Sequence, residues 1–290
     1  MQEIKSSELI LNPDGSVYHI NLKPEHIAQD VIFVGDPYRV DEVTKHFDSI
    51  EFETQKREFR SKVGTYKGKR ITVISTGIGP DNIDIVWNEL DALVNIDFET
   101  RLPKKELTSL NVYRLGTSGS LQADIPVNSI LLSTHAIGTD NMLRSYQIDH
   151  VVEHAIEEAF IEQTTWDLTK GRPYVIEGSK VLLDKFEEFG WHKGMTVTAG
   201  GFYGPQGRVL RLPIQDSELN HKIDQFEFNG IRATNLEMET AAIYGLGKLL
   251  SHHSLSVNAI IANRAVGEFS ENPYETVNQM IEMVLNKIAE

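Results

Sequence analysis

The chain has 290 residues, 40% of them hydrophobic, which is enough to bury the core of one large domain over 1–290. Its formal net charge of −14 argues against a general nucleic-acid-binding surface, because affinity for phosphate backbones comes from clustered lysine and arginine. Cysteine is absent, which excludes disulfides and thiolate metal sites. Residues 1–10 have no apolar core of a signal peptide, and no apolar run is long enough to span a membrane. We therefore expect a cytoplasmic protein with neither nucleic acid nor membrane as a partner.

Taken in chain order, the hydrophobic pattern predicts alternating strands and helices. The first strand, 31–34, leads to a helix that begins at Pro37, since proline suits the first helical turn. Lys67-Gly68 lies between the next two strands and is typical of a hairpin. In order, the pattern predicts strands 59–66 and 70–75, a helix through 83–93, an exposed connection at 104–108, strands 112–115 and 129–137, helices 146–163 and 180–189, strands 195–199 and 233–236, a helix at 239–250, a strand at 257–262 and a helix at 274–289. This alternation, with no linker or repeat, predicts one α/β domain built on a largely buried mixed sheet.

Polar segments follow several of the predicted strands directly. Because ligand crevices in open α/β sheets form at the carboxyl ends of strands, we expect these segments to share one site. They are 35–36, 76–79, 116–119, 200–208 and 237–239.

Two of the arginine-bearing segments have the features of an anion site. In 35–39, Gly-Asp-Pro-Tyr-Arg, the backbone N–H groups at a helix start and the Arg39 guanidinium can hold an anion, although a turn with a solvated arginine is the simpler alternative. Arg114 lies on a predicted strand and needs an anionic partner, either a neighbouring carboxylate or a ligand phosphate. Thr117 adds a hydroxyl beside it. Residues 76–79 resemble half of a dinucleotide fingerprint without its third glycine, which disfavours a Rossmann dehydrogenase.

Residues 198–208 and 235–239 indicate a nucleoside pocket. The first segment, Thr-Ala-Gly-Gly-Phe-Tyr-Gly-Pro-Gln-Gly-Arg, brings an aromatic ring, an amide and a guanidinium together, as a flat heterocycle with imide edges requires. The second places Glu237 and Glu239 around Met238, which suits a sugar whose hydroxyl groups donate to a carboxylate. A structural alternative explains one of the glutamates, since acidic side chains at a helix start offset the helix dipole.

Residues 150–154 match the His-x-x-Glu-His pattern of zinc peptidases. The surrounding apolar residues define one stripe of the predicted helix and place both histidines on the opposite, solvated face. The pattern therefore disfavours a metal centre here.

The motifs VGDPYRV, REF, STGIG, RLGTSG, FYGPQGR, NLEMET and IIANR, taken together, resemble those of the uridine phosphorylases in the nucleoside phosphorylase superfamily. The resemblance covers about residues 18–268. It implies a three-layer α/β/α sandwich around a mixed, partly barrel-like sheet. It also implies a homo-oligomer assembled from dimers in which each subunit completes its neighbour's site.

The resemblance implies roles for individual residues. The implied phosphate ligands are Gly35, Arg39, Arg114 and Thr117, with Arg57 lent by the dimer partner. The implied base contacts are Phe202, Gln206 and Arg208. The implied ribose contacts are Met238 and Glu239, with Glu237 in support and His19 lent by the partner. Arg114, Arg208 and Glu239 would carry the catalysis. Glu58 and Ser75 fall where some relatives hold a monovalent cation at the dimer interface. No cofactor is implied, because phosphate is a co-substrate.

The implied activity is the reversible phosphorolysis of uridine to uracil and ribose 1-phosphate. The alternatives are a phosphorylase of deoxyuridine, thymidine or a purine nucleoside, and a non-catalytic nucleoside-binding protein. Purine-specific members place an aspartate after the late strand, whereas here the strand 257–262 leads to Asn263-Arg264. The stretch 98–109 is longer than in compact bacterial relatives, which predicts altered oligomer packing.

Overall fold

The structure is a computed structural model, and it describes residues 3–290. Its strands are β1 (Asp30–Val34), β2 (Ser49–Lys56), β3 (Phe59–Tyr66), β4 (Lys69–Ser75), β5 (Ile96–Asp97), β6 (Leu102–Pro103), β7 (Asn111–Ser120), β8 (Ile130–Gly138), β9 (Tyr174–Glu177), β10 (His192–Thr198), β11 (Glu227–Phe228), β12 (Ile231–Glu237), β13 (His253–Asn263) and β14 (Glu268–Phe269). Its α-helices are α1 (Pro37–Thr44), α2 (Pro80–Asn95), α3 (His154–Gln163), α4 (Lys180–Asp184), α5 (Leu219–Asp224), α6 (Thr240–Leu249) and α7 (Pro273–Ala289).

Within residues 3–290, twelve of the strands form one mixed sheet in the order β11-β12-β10-β8-β13-β7-β1-β4-β3-β2, with β9 beside β8 and β14 beside β13. β12 also pairs with β7, through Asn235 opposite Ser120 and Leu236 opposite Gly119. This second pairing closes β12, β10, β8, β13 and β7 into a five-stranded barrel. The remaining strands of the order, β1, β4, β3 and β2, continue from the barrel as an open sheet.

Helices cover both faces of the sheet. On one face α2 and α6 pack together, and Trp87 of α2 lies edge-on to Phe33 of β1 with ring centroids 5.4 Å apart. On the other face the fully buried Met280 of α7 belongs to a core cluster with residues of α1 and of the central strands. The predicted three-layer α/β/α fold with a mixed, partly barrel-like sheet is therefore confirmed.

The structure corrects the element predictions at two places. The helix predicted at 146–163 begins only at His154; Met142–Ser145 form a 3-10 turn, and Val151 and Val152 are buried in a non-helical turn. Helical spacing of apolar residues cannot distinguish a helix from a turn that packs on the core. The strand predicted at 112–115 runs on to Ser120, because the glycine motif continues the ladder with β13.

The pattern missed seven elements, namely β2, β9, α5 and the two-residue strands β5, β6, β11 and β14, and it overestimated the helix at 180–189. β2 is a mostly exposed, charged strand at the sheet edge, so it has no apolar run to reveal it. β9 and α5 are short. The helix predicted at 180–189 consists of α4 and a 3-10 turn at Glu187–Phe189. None of the helices between residues 3 and 290 combines the length and apolarity needed to cross a bilayer.

Candidate active site

The polar segments that follow the strands open onto a cavity of about 680 Å³. Both Arg114 and Arg208 contribute to its wall, although 94 positions separate them in the sequence. The other predicted site residues that line it are Gly35, Arg39, Glu58, Thr117, Phe202, Gln206, Glu237, Met238 and Glu239. The fold thus brings the candidate phosphate, sugar and base contacts into the wall of one cavity.

Arg114 lies in the middle of β7 and is held by four groups. Its Nη2 donates to Glu239 Oε2 at 2.7 Å and lies 2.9 Å from Glu237 Oε2. Its Nη1 donates to Asn258 Oδ1 at 3.0 Å and to Ser256 Oγ at 3.4 Å. Burial alone would lower the pKa of Arg114, but the two carboxylates outweigh it and the pKa is raised. Neighbouring carboxylates therefore supply the anionic partner that this strand arginine requires.

Gly116 leaves the space that the Arg114 guanidinium occupies. A Cβ atom on Gly116 would lie 1.9 Å from Arg114 Nη1, well inside van der Waals contact. The glycine of the Arg-Leu-Gly-Thr-Ser-Gly motif is thus required for packing of the arginine two residues before it.

Glu237 has a mainly structural role at the start of α6. Its Oε2 accepts the backbone N–H groups of Glu239 and Thr240, both at 2.9 Å. Its Oε1 accepts Thr198 Oγ1–H at 2.5 Å and the Thr240 N–H at 3.1 Å. These bonds satisfy orphan donors at the helix start, as expected for an acid that offsets the helix dipole. Because both of its carboxylate oxygens are engaged, Glu237 would support ribose binding indirectly, by positioning Arg114 and Glu239.

Glu239 connects segment 237–239 with the turn at 76–79 and with Arg114 on β7. Its Oε1 accepts the Gly79 N–H at 2.8 Å, and its Oε2 accepts the bond from Arg114. Gly79 has a φ of +100°, which a residue with a side chain rarely adopts, so the Ser-Thr-Gly-Ile-Gly turn depends on this glycine. Burial raises the pKa of Glu239; Arg114 opposes the increase and Glu237 adds to it.

Arg39 lies beside Arg114, and no carboxylate of residues 3–290 forms an ion pair with it. Its Nη1 donates to the Leu115 carbonyl at 3.3 Å. Burial lowers the pKa of Arg39, and the charge of Arg114 lowers it further, while Asp36 and Glu239 act in the opposite direction. Two guanidinium groups close together in a half-buried space favour a bound anion, because an anion would relieve their repulsion.

The base-side residues come together on the segment after β10. Arg208 donates to the Gln206 side-chain oxygen at 2.6 Å and to the Phe202 carbonyl at 2.7 Å. Its guanidinium carbon lies 3.9 Å from the centroid of the Phe202 ring, so the cation stacks on the aromatic face. Because Gln206 accepts through its oxygen, its NH₂ group is the one that can donate to a ligand.

Arg264, which directly follows β13, lies next to this group. Its Nη1 donates to the Gln206 backbone carbonyl at 2.7 Å. Burial, together with the neighbouring charge of Arg208, lowers the pKa of Arg264 to about 10. The signal that could have identified it is its position directly after β13, beside the cavity-lining Ile261 and Ala262.

Asn263, the last residue of β13, uses its whole side-chain amide to bind backbone groups of the protein. Its Nδ2 donates to the carbonyls of Gln122, at 3.0 Å, and Ile125, at 2.9 Å. Its Oδ1 accepts the N–H groups of Ala265, at 3.0 Å, and Val266, at 3.3 Å. With 1% of its surface exposed, this amide holds the turn and has no group left for a ligand.

The cavity wall formed by residues 3–290 includes neither His19 nor Arg57. Arg57 is exposed in the turn between β2 and β3, with a φ of +56°. His19 is bonded to Glu89, and its Nδ1 lies 2.6 Å from Glu89 Oε1. Ser75 is buried under the wall, and its hydroxyl donates to the Glu58 carbonyl at 2.5 Å. The partner-lent roles of His19 and Arg57 and the cation site at Glu58 and Ser75 stay predictions.

The two histidines of the His-x-x-Glu-His segment do not share a helix face. His150 is exposed in the turn before α3, whereas His154 is the first residue of that helix. Across the part of the chain that the structure describes, no group of three or more histidine or acidic side chains is placed to hold a metal ion.

The chain belongs to the phosphorylase superfamily, whose family model matches residues 29–290. It is similar to the uridine phosphorylase of Thermococcus kodakarensis, with 27% identity over 93% of this chain and 86% of the relative. It is equally similar to the purine nucleoside phosphorylase of Bacillus cereus, with 28% identity over 92% of this chain and 97% of the relative.

Among solved structures, the chain resembles the Trypanosoma brucei nucleoside phosphorylase, described as showing uridine phosphorylase activity. The TM-score is 0.87 and the identity 27%, with 97% of this chain and 98% of the other covered. Because uridine and purine relatives are about equally similar in sequence, the choice of base depends on the site residues.

Proposed function

We propose that this protein is a uridine phosphorylase, a pentosyltransferase that cleaves uridine reversibly with phosphate. One observation carries the proposal: Arg114 and Arg208 line the same cavity, with Thr117, Met238 and Glu239 also in its wall. The cavity thus has a phosphate end, with Arg39, Arg114 and Thr117, that suits an oxyanion. It also has a base end, with Phe202, Gln206 and Arg208 on a loop, that suits the imide edge of a base.

At the phosphate end, Arg39, Arg114 and Thr117 hold the dianion below the anomeric carbon of the sugar. Phosphate is a weak nucleophile, so positive charge must develop at C1′ before phosphate attacks. The protein promotes the step by holding phosphate close to C1′ and by stabilising the charges that develop. A phosphate oxygen then bonds to C1′. Glu239 accepts hydrogen bonds from the sugar hydroxyl groups, and its bonds to Gly79 and Arg114 keep it in place.

At the base end, the C1′–N1 bond breaks and its electron pair leaves with uracil. Arg208 and the Gln206 NH₂ group stabilise the negative charge that grows on the uracil oxygens, so the base needs no general acid. Arg264 adds a second positive charge behind Gln206. Burial lowers the pKa of both arginines, and the charge of Arg208 lowers that of Arg264 further, so negative charge on the leaving base would stabilise their charged forms.

Asn263 supports uridine over a purine nucleoside. An enzyme that protonates or bonds purine N7 needs a free polar group after β13, and the Asn263 amide has none. The test compares the rates of phosphorolysis of uridine, deoxyuridine, thymidine and inosine at equal concentrations, measured as release of the free base. Faster cleavage of inosine than of uridine would show that the base assignment is wrong.

The first experiment is a phosphate-dependent uridine cleavage assay on the purified protein. We expect uracil and ribose 1-phosphate as products, no turnover without phosphate, and uridine synthesis in the reverse direction. Uridine binding without phosphate-dependent turnover would instead support a nucleoside-binding protein.

The proposed oligomer has sites shared across a dimer interface, to which Arg57 and His19 are lent. Neither residue lines the cavity formed by residues 3–290 of its own chain, so a role at the site requires a second subunit. Arg57→Ala is expected to lose activity and to regain part of it in mixed oligomers with Arg208→Ala, because some mixed sites then contain both arginines. If mixing restores nothing, Arg57 acts elsewhere. Cytoplasmic location and homo-oligomeric state stay predictions, and native mass measurement tests the second.

A further inference from the structure

Glu89, on α2, binds the N-terminal segment at the histidine that we assign to the neighbouring subunit's site. Glu89 Oε1 lies 2.6 Å from His19 Nδ1. The same carboxylate accepts the His19 backbone N–H at 2.9 and 3.0 Å and the Ile20 N–H at 2.9 Å. Glu89 and His19 are 70 positions apart, so the tertiary fold makes this contact.

The contact determines which ring nitrogen of His19 carries hydrogen. An ionised carboxylate accepts hydrogen bonds but cannot donate them, so Nδ1 must be the protonated nitrogen. In the neutral imidazole, Nε2 then keeps its lone pair and is an acceptor. A histidine held in this way accepts a hydrogen bond from a hydroxyl group.

The position of the pair connects it to the active site. The His19 ring lies edge-on to Phe59, with centroids 6.4 Å apart, and Phe59 directly follows Glu58 of the cavity wall. The His19 side chain keeps 28% of its surface exposed. Helix α2, which carries Glu89, also begins at the turn whose Gly79 N–H binds Glu239. Helix α2 therefore helps to position two proposed ribose contacts. One is Glu239, which serves the site of its own subunit, and the other is His19, which would serve the site of the neighbouring subunit.

We propose that Glu89 is a positioning residue that holds His19 in the Nδ1–H tautomer and so makes Nε2 the acceptor for the ribose 5′-hydroxyl in the neighbouring subunit. The inference rests on the proposed uridine phosphorolysis, because it concerns the same substrate. It adds a residue that recognises the sugar only through another side chain.

The test compares uridine with 5′-deoxyuridine, which lacks the hydroxyl group in question. Glu89→Gln keeps the size of the side chain and can still accept the backbone N–H groups, but its NH₂ group can donate to Nδ1 and permit the opposite tautomer. We expect kcat/KM for uridine to fall about three- to tenfold, mainly through KM, with that for 5′-deoxyuridine unchanged. His19→Ala should show the same selectivity, and the double variant should lose no more than His19→Ala alone.

Asp84→Asn is the matched control, because Asp84 is a carboxylate on α2 whose side-chain partners among residues 3–290 are Tyr146 and Asn88. It should leave the ratio of the two substrates unchanged. An equal loss on both substrates in Glu89→Gln would show that Glu89 supports only the fold. If the wild-type protein cleaves neither substrate with phosphate, the proposed function is wrong and the inference fails with it.

A measurement on the unmodified protein covers the case in which Glu89→Gln does not fold. Nitrogen-15 NMR of the histidine rings distinguishes the two tautomers, and His19→Ala identifies the signal. In the neutral ring of His19 we expect a protonated Nδ1 and an unprotonated Nε2. The opposite tautomer would overturn the proposal whatever the kinetics show.

Discussion

The two ends of the cavity are built differently. At the proposed phosphate and ribose end, Arg114 lies on β7, and Glu237 and Glu239 lie at the junction of β12 with α6; their side chains are 8%, 2% and 8% exposed. At the base end, Arg208 stacks on Phe202, which is 51% exposed, in a segment outside the strands. The first end is a preorganised part of the core, whereas the second is a loop. Mutations should therefore cost stability and activity together at the first end, and activity alone at the second.

The largest expected effect is that of Arg114→Met. The variant leaves Glu237 and Glu239 buried without a counter-ion, so we expect a loss of about 3–5 kcal/mol in the free energy of unfolding. Urea denaturation at pH 7 measures it. Arg232→Met, which removes an exposed pair with Asp124, is the control and should cost less than about 1 kcal/mol. Equal losses in the two variants would mean that the carboxylates do not depend on Arg114.

The same variant should become relatively more stable as the pH falls. In the native protein burial raises the pKa of Glu239 while Arg114 opposes the increase, so removing Arg114 raises that pKa further. A carboxyl group whose pKa is higher folded than unfolded binds more protons in the folded state between the two values. The stability it contributes is thus lost as the pH rises through the folded pKa. The difference between Arg114→Met and the native protein should shrink from pH 7 towards pH 5.

Arg208→Ala tests the base end. We expect kcat/KM for uridine to fall by at least about a hundredfold, since removing one donor to a developing oxyanion typically costs about 3–4 kcal/mol. The free energy of unfolding should change little, because Arg208 is only half-buried and has no carboxylate partner among residues 3–290. Arg211→Ala, an exposed neighbour on the same segment, is the matched control for turnover. Near-normal kcat/KM in Arg208→Ala would refute the base-end assignment.

How far the sequence predicts this site depends on the range of the contacts. The anion and base motifs are local, so their residue types and their position after strands already indicated a common cavity. A charge on a buried strand needs a partner, and this identifies Arg114 as a candidate site residue. Whether that partner is a neighbouring carboxylate or a ligand phosphate depends on the fold, which places Glu237 and Glu239 beside it. The sequence left both open.

The contacts that the sequence did not reveal join distant segments. Asn263 binds the carbonyls of Gln122 and Ile125, which are 141 and 138 positions away. Arg101, in the β5–β6 hairpin of the long 98–109 stretch, donates to the carbonyls of Ile4 and Leu9, each at 2.6 Å. Its effect on oligomer packing stays a prediction; within one chain the stretch anchors the N-terminal segment. Side-chain to backbone bonds of this range leave no periodicity or motif in the sequence.

Asn263→Asp separates the structural role of this position from a catalytic one. The introduced carboxylate would face two carbonyl oxygens that now receive N–H groups, so we expect a loss of about 1–3 kcal/mol in the free energy of unfolding. The loss should diminish at low pH, where the new carboxyl group is protonated and can donate again. Asn278→Asp, beside Lys45, is the control and should be close to neutral. A gain of purine phosphorolysis without loss of stability would contradict this account of the turn.

The smallest expected effect is that of Phe202→Leu. The substitution removes the aromatic face on which Arg208 stacks, and a half-exposed cation–π contact contributes about 0.5–1 kcal/mol. The leucine still covers one side of the base, so KM for uridine should rise about two- to fivefold while kcat stays near the native value. Tyr203→Leu, an exposed ring next to Phe202 that does not line this cavity, is the matched control. A large fall in kcat for Phe202→Leu alone would mean that the ring fixes the orientation of Arg208 in the transition state, and that the base end is more rigid than its position on a loop implies.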